Sequence, residues 1–262
     1  MKAYKGYLLD LDGTVYRGNE VIPEAVHFIR ALREEGIPYL YLTNNSSAPP
    51  EAVAKKLQAM GIEASPEEVY TSSMATAAYL AEKHPQGTRV HVIGEEGLHM
   101  ALAQAGCTLT DQEADYVVVG IDRSFSYAKL AAAARAIRSG ATLIATNRDP
   151  ALPTENGLMP GNGALVAAVA AAGGTQPIVI GKPESIIVNY ALKRLGTPKE
   201  ETLIVGDNLM TDIAAGVNSG MDSLLVLTGY SSAADAAVSP WQPTYVADHL
   251  MAWYEKLAGG NR

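Results

Sequence analysis

Short, nearly unbroken apolar runs alternate along this chain with longer stretches of helical periodicity, and that alternation restricts the fold more than any other feature. A strand covered by helices on both faces reads as consecutive apolar residues, as residues 7–11, 37–43, 203–205 and 223–227 do. Between the first two runs a helix is predicted over 23–35: Pro23 suits its first turn, Ala25, Phe28, Ile29 and Leu32 share one face, and Gly36 can cap it. The middle of the chain repeats the pattern, with strands at 89–93, 116–119 and 142–145 and helices at 95–104 and 127–138. The expectation is an α/β protein: a parallel sheet flanked by crossover helices, with a smaller α/β domain inserted in it.

At 262 residues and 48% hydrophobic composition there is enough apolar material for a large core. The net charge of −8 argues against a broad basic footprint for nucleic acid polymers or an anionic membrane surface. Cys107 is the single cysteine, so neither an intramolecular disulfide nor a thiolate metal site can form, which suits a reducing cytoplasm. The start of the chain lacks the apolar run of a signal peptide, and no segment approaches the roughly 20 apolar residues of a membrane span.

Polar residues gather where the apolar runs end, the edge at which open α/β sheets bind ligands. In Asp10–Leu11–Asp12–Gly13–Thr14, residues two apart on an extended segment share a side, so Asp10 and Asp12 would bring two carboxylates to one small volume. Such a pair needs a cation or a shared proton, and Mg²⁺ is commonly held by one or two carboxylates plus phosphate and water. Thr43–Asn44–Asn45–Ser46 offers a hydroxyl, amides and backbone N–H groups suited to phosphate oxygens. Gly181–Lys182–Pro183 restricts where one ammonium can go, and Asp207 and Asp212 add two carboxylates around a further strand end. Taken singly, each cluster is equally what a solvated strand-end loop or a helix cap looks like.

In order, however, DLDGT, TNNS, GKPES and GDNLMTD resemble the four motifs of the haloacid dehalogenase (HAD) superfamily. DLDGTVYRGNE, YLTNNSS and VGDNLMTDI are most similar to its NagD-like, p-nitrophenyl phosphatase-like branch. The resemblance runs from Tyr7 to about Gly229. It implies a Rossmann-like, doubly wound core at 1–81 and 177–262, with a C2-type α/β cap at 82–176 hinged near Glu82 and Gln176. It also implies a Mg²⁺-dependent phosphomonoesterase acting on small phosphorylated metabolites through an aspartyl-phosphate. Carried over by position, Asp10 is the nucleophile and Asp12 the general acid and base. Asp10, the backbone carbonyl of Asp12, and Asp207 hold the metal. Thr43, Asn44 and Lys182 bind the phosphoryl group. Asp212 is either a member of the metal shell or an orienter of Lys182. Asn147, Arg148 and Asp149, in a Gly- and Pro-rich cap stretch, are the substrate-contact candidates.

Dehalogenating members lack an acid at the Asp12 position, so Asp12 argues against that activity. Other motifs fail on single residues. A nucleotide-binding loop would need Gly where Gln176 stands and Ser or Thr where Pro183 stands, and a dinucleotide fingerprint at Gly161 would need Gly in place of Val166. His91 and His99 read as packing and surface residues. A phosphometabolite-binding protein without turnover, and a phosphotransferase passing the group to an alcohol, would carry the same residues. Monomer and homodimer fit equally well.

Overall fold

The structure, a computed structural model, describes residues 2–154 and 157–259. The chain forms two compact units, one of residues 1–43, 51–70 and 182–262 and the other of 44–50 and 71–181. Residues 82–176, where the sequence places the insertion, all fall within the second unit.

The first unit is built on a six-stranded sheet in the order Tyr245–Ala247, Ser223–Val226, Thr202–Gly206, Gly6–Leu9, Tyr39–Thr43, Val69–Thr71. Gly6–Leu9 pairs in parallel with both neighbours, Leu9 standing opposite Val205 on one side and Tyr41 on the other. All of its residues are buried, as its unbroken apolar run requires. The helix Pro23–Glu34 buries Ala25, Phe28, Ile29 and Leu32, and Gly36 follows it in the left-handed region at φ +66°. Periodicity predicts a final helix near residues 249–257 with Trp253 as a packing anchor, and the tail that carries them completes this unit. Tyr245–Ala247 forms a sheet edge, and in the helix Leu250–Gly259 the fully buried Trp253 lies against Tyr245 with ring centroids 4.6 Å apart.

The second unit carries a five-stranded sheet in the order Ile178–Val179, Thr142–Ala145, Tyr116–Val119, Arg89–Ile93, Thr108–Leu109, all parallel. Ile93, Val117, Val119, Leu143, Val166 and Val169 lie in one buried core beneath the helices Tyr127–Arg138 and Asn162–Gly173. Residues 44–50 belong here because hydrogen bonds stitch them in. Ser46 Oγ accepts the Ile121 N–H (3.0 Å), Ser46 O accepts Ser73 Oγ (3.0 Å) and Ser47 O accepts the Gly97 N–H (2.8 Å). Ala151–Thr154 and Gly157–Pro160 pair as an antiparallel hairpin where the sequence suggests only a loop. His91 is buried and His99 exposed, as their positions suggest. Among the described residues no helix is long and apolar enough to cross a membrane.

Candidate active site

Three adjacent parallel strands of the first unit end together, and each delivers one of the sequence-predicted residues at its C-terminal edge. Gly6–Leu9 leads into Asp10, whose N–H is held by Val205 O at 2.9 Å. Thr202–Gly206 leads into Asp207, and Tyr39–Thr43 ends on Thr43. Lys182 enters where the chain returns to this unit, through a cis Lys182–Pro183 peptide, and is only 3% exposed.

Inside this edge the Lys182 ammonium donates to Asp10 Oδ1 at 2.5 Å, to Asp212 Oδ1 at 2.6 Å and to Leu42 O at 3.0 Å. A buried ammonium is tolerable only when so surrounded. Burial alone would lower its pKa, but Asp10 and Asp212 outweigh that and hold it above the ordinary lysine value. Asp212 also accepts the Asn208 N–H at 3.1 Å. It sits near the end of a π-helical turn, Leu209–Ile213, that precedes the helix Ala214–Ser219, where periodicity predicts one helix from Thr211. Gly206 has no Cβ for a reason of space: one there would run into the Asp212 carboxylate.

Asp10, Asp207 and Asp212 each place a carboxylate oxygen so that all lie within 4.8 Å of one another. Burial and the charge of Asp212 push Asp10 well above the usual carboxylate range, with Lys182 pulling the other way. Burial first, and Asp212 second, push Asp207 up to about 7. Crowded, desolvated carboxylates with hard oxygen donors suit a small divalent cation, whose charge would relieve both penalties. The carboxylate of Asp12 is not in this group. The strand stops at Leu9, so the period of two does not extend through 10–12, and the exposed Asp12 accepts the Gly18 N–H at 3.3 Å. Its neighbour in space is Tyr16, a buried residue that no sequence signal singles out.

The remaining candidates lie in the second unit. Asn44 Nδ2 donates to Asp149 Oδ2 at 3.1 Å, and Asn147 Nδ2 donates to the same oxygen at 2.6 Å. Asn162, 1% exposed and not conspicuous in the sequence, holds Asn147 through its backbone and side-chain oxygens at 2.9 and 3.0 Å. Arg148 departs from its neighbours. It is exposed and lines a groove of about 580 Å³ along the helix Asn162–Gly173, with Thr175, Gln176 and Pro177.

A family model for haloacid dehalogenase-like hydrolases matches residues 7–108, and a second HAD-like hydrolase model matches 179–253. The chain is 51% identical over 253 residues to 5'-nucleotidase YutF of Bacillus subtilis (strain 168), covering 97% of this chain and 98% of that one. Its structure is similar to that of p-nitrophenyl phosphatase from Archaeoglobus fulgidus, with a TM-score of 0.91 and 33% identity over 97% of this chain and 100% of that one. It is also similar to glycerol phosphate phosphatase from Mycobacterium tuberculosis in complex with calcium, with a TM-score of 0.90 and 38% identity over 95% of this chain and 74% of that one. The chain belongs to the haloacid dehalogenase-like hydrolases, and it is a phosphatase of that type. Family phosphatases use a divalent metal, and the Asp10, Asp207 and Asp212 cluster has the donors for one.

Proposed function

We propose that this chain is a Mg²⁺-dependent phosphomonoesterase that hydrolyses small phosphorylated metabolites through a phosphorylated Asp10. The observation that carries the reading is the Lys182 ammonium buried between Asp10 and Asp212 at a strand end. It keeps one carboxylate fixed, partly neutralised and next to a cationic centre able to receive a phosphoryl group. Asp10 and Asp207 side chains and the Asp12 carbonyl would hold Mg²⁺, which supplies positive charge against the phosphoryl oxygens.

In this reading a carboxylate oxygen of Asp10 attacks phosphorus and the bond from phosphorus to the ester oxygen breaks. Asp12 gives its proton to the leaving alkoxide. As a carboxylate, Asp12 then takes a proton from the water that attacks the phosphorus of the acyl phosphate, releasing inorganic phosphate and restoring Asp10. Lys182, Thr43 and Asn44 stabilise charge on the transferring group, the dominant requirement of phosphoryl transfer. Asp212 acts through Lys182, fixing its ammonium. Residues 82–176 serve as the cap, with Asn147 and Asp149 its polar contacts. Nucleoside monophosphates, p-nitrophenyl phosphate and glycerol phosphate are the first substrates to try, and the cytoplasm is the compartment that a single-cysteine, acidic chain suits.

The test is release of phosphate from p-nitrophenyl phosphate with and without Mg²⁺, for the wild type and Asp10→Asn. Activity that needs Mg²⁺ and falls at least a thousandfold in the variant is expected. A single turnover in ¹⁸O-water should place the label in the released phosphate and none in the Asp10 carboxylate. Activity surviving Asp10→Asn would overturn the reading.

A further inference from the structure

A loop without a carboxylate of its own holds Asp207 in place. Residues 228–231 follow the strand Ser223–Val226, and they grip Asp207 through backbone atoms. The Tyr230 N–H donates to Asp207 Oδ2 at 2.5 Å and the Ser231 N–H donates to Asp207 O at 3.0 Å. Ser231 Oγ accepts the Leu209 N–H at 3.1 Å, so the same loop pins the chain after Asp207 as well. Gly229 and Gly13 bracket the carboxylate, and a Cβ on either would run into Oδ2. Gly13 also lies at φ +85°, where a side chain would be strained.

The position of this loop is set in turn by Thr228. Its hydroxyl donates to Gly13 O at 2.6 Å, and its carbonyl accepts from Arg17 Nε. Gly13 belongs to the turn that leaves Asp10, and Arg17 to the two-stranded ribbon Tyr16–Arg17/Glu20–Val21 that follows that turn. Thr228 therefore bridges the segment bearing Asp10 and the loop gripping Asp207. The two carboxylates place oxygens within 4.8 Å of one another, and like charges that close act to spread the segments that carry them. A short hydrogen bond across the two segments resists that spreading.

We propose that Thr228 is a positioning residue for the metal site: it fixes the separation of Asp10 and Asp207 and commits one oxygen of Asp207 to the Tyr230 N–H, leaving the other to the cation. This rests on the reading that Asp10 and Asp207 hold a divalent ion. Partners of this kind that orient ligands typically change metal affinity by about 10–100-fold when lost.

The experiment is calorimetric titration of the full-length protein with Mg²⁺, and separately with Mn²⁺, for the wild type, Thr228→Val and Thr228→Ser, beside urea unfolding of each. Thr228→Val keeps the shape and removes the donor, and about a tenfold weaker Mg²⁺ affinity is expected. Thr228→Ser should stay within about twofold of the wild type, and KM for the ester at saturating Mg²⁺ should be unchanged in both. Should Thr228→Val unfold, Thr228→Ala carries the same expectation. Wild-type affinity in a folded Thr228→Val, or equal weakening in Thr228→Ser, would overturn the role of the hydroxyl. Wild-type protein that binds neither ion, or an Asp207→Asn variant that binds as the wild type does, overturns the metal-site reading itself, and with it this one.

Discussion

Lys182 and Asp212 form an ion pair at 2.6 Å in which both side chains are nearly sealed from solvent, at 3% and 2% exposure. Two such charges cost a great deal to bury and are retained only with close partners, which here include Asp10. Lys182 thus bears on the stability of the first unit and, in the proposed mechanism, on its chemistry.

Removing one partner separates the two. Lys182→Met leaves Asp10 and Asp212 facing each other without a cation, and about 3–5 kcal/mol of stability should be lost in urea unfolding. The double variant Lys182→Met, Asp212→Asn should regain part of that stability while turnover stays down. A loss below about 1 kcal/mol in the single variant would deny the pair its part in stability.

Asp12 should matter in proportion to how badly the leaving group needs a proton. For Asp12→Asn, turnover of glycerol phosphate should fall by roughly 10²–10⁴, and p-nitrophenyl phosphate, whose phenolate leaves readily, should lose less in the step that forms the intermediate. A burst of p-nitrophenolate before a slow steady state would report the stalled second step. Equal losses with both esters and no burst would deny Asp12 the acid's part.

The hydroxyl of Ser46 satisfies the buried N–H of Ile121. Ser46→Ala leaves that donor without its partner and should destabilise the second unit by about 1–3 kcal/mol in a thermal or urea melt. An unchanged melt would show that water or another acceptor replaces it.

Asp115 ties the starts of two strands of the second unit together by accepting from the Arg89 guanidinium at 3.0 Å and its N–H at 2.9 Å, and from Thr88 Oγ1 at 3.1 Å. The Arg89 side chain first, and its N–H second, hold the carboxyl down at about 2. A carboxyl lowered on folding contributes stability above its unfolded pKa of about 4 and loses it as pH falls toward 2. The wild type should therefore melt above Asp115→Asn at pH 7, and the gap should close between about pH 4 and pH 2. A gap independent of pH would assign the effect to packing.

Residues alone make legible whatever side chains or long apolar runs announce. Strands at 89–93, 116–119 and 142–145, and the helix at 127–138, stand where periodicity places them. The charged groups of the first unit are visible because carboxylates and an ammonium at strand ends are conspicuous. The choice between the two roles of Asp212 is not, since it depends on which oxygen meets Lys182 and which meets Asn208. The hairpin Ala151–Thr154/Gly157–Pro160 is hidden because Pro153, Gly157 and Pro160 break the pattern of a strand, and antiparallel edges tolerate such residues. The strand Tyr245–Ala247 is too short to carry a period. Residues 228–231 hold Asp207 through the N–H groups of Tyr230 and Ser231, which nearly every residue possesses, and the Thr228 and Ser231 hydroxyls look like those of any loop until their partners in space are known.

Asp10 and Lys182 stand 172 residues apart in the chain. On a ribosome adding about 5–20 residues per second, roughly 10–30 s separate the appearance of the one from that of the other. Gly6–Leu9, in the interior of its sheet, waits longer still for Thr202–Gly206. Throughout synthesis of the inserted unit the nascent chain therefore holds an apolar strand with an empty flank and an aspartate without its counter-ion. An N-terminal fragment released early should bind chaperones that hold exposed apolar segments, through residues 6–9, and show no phosphatase activity, and the rate at which the insertion is translated becomes a determinant of yield.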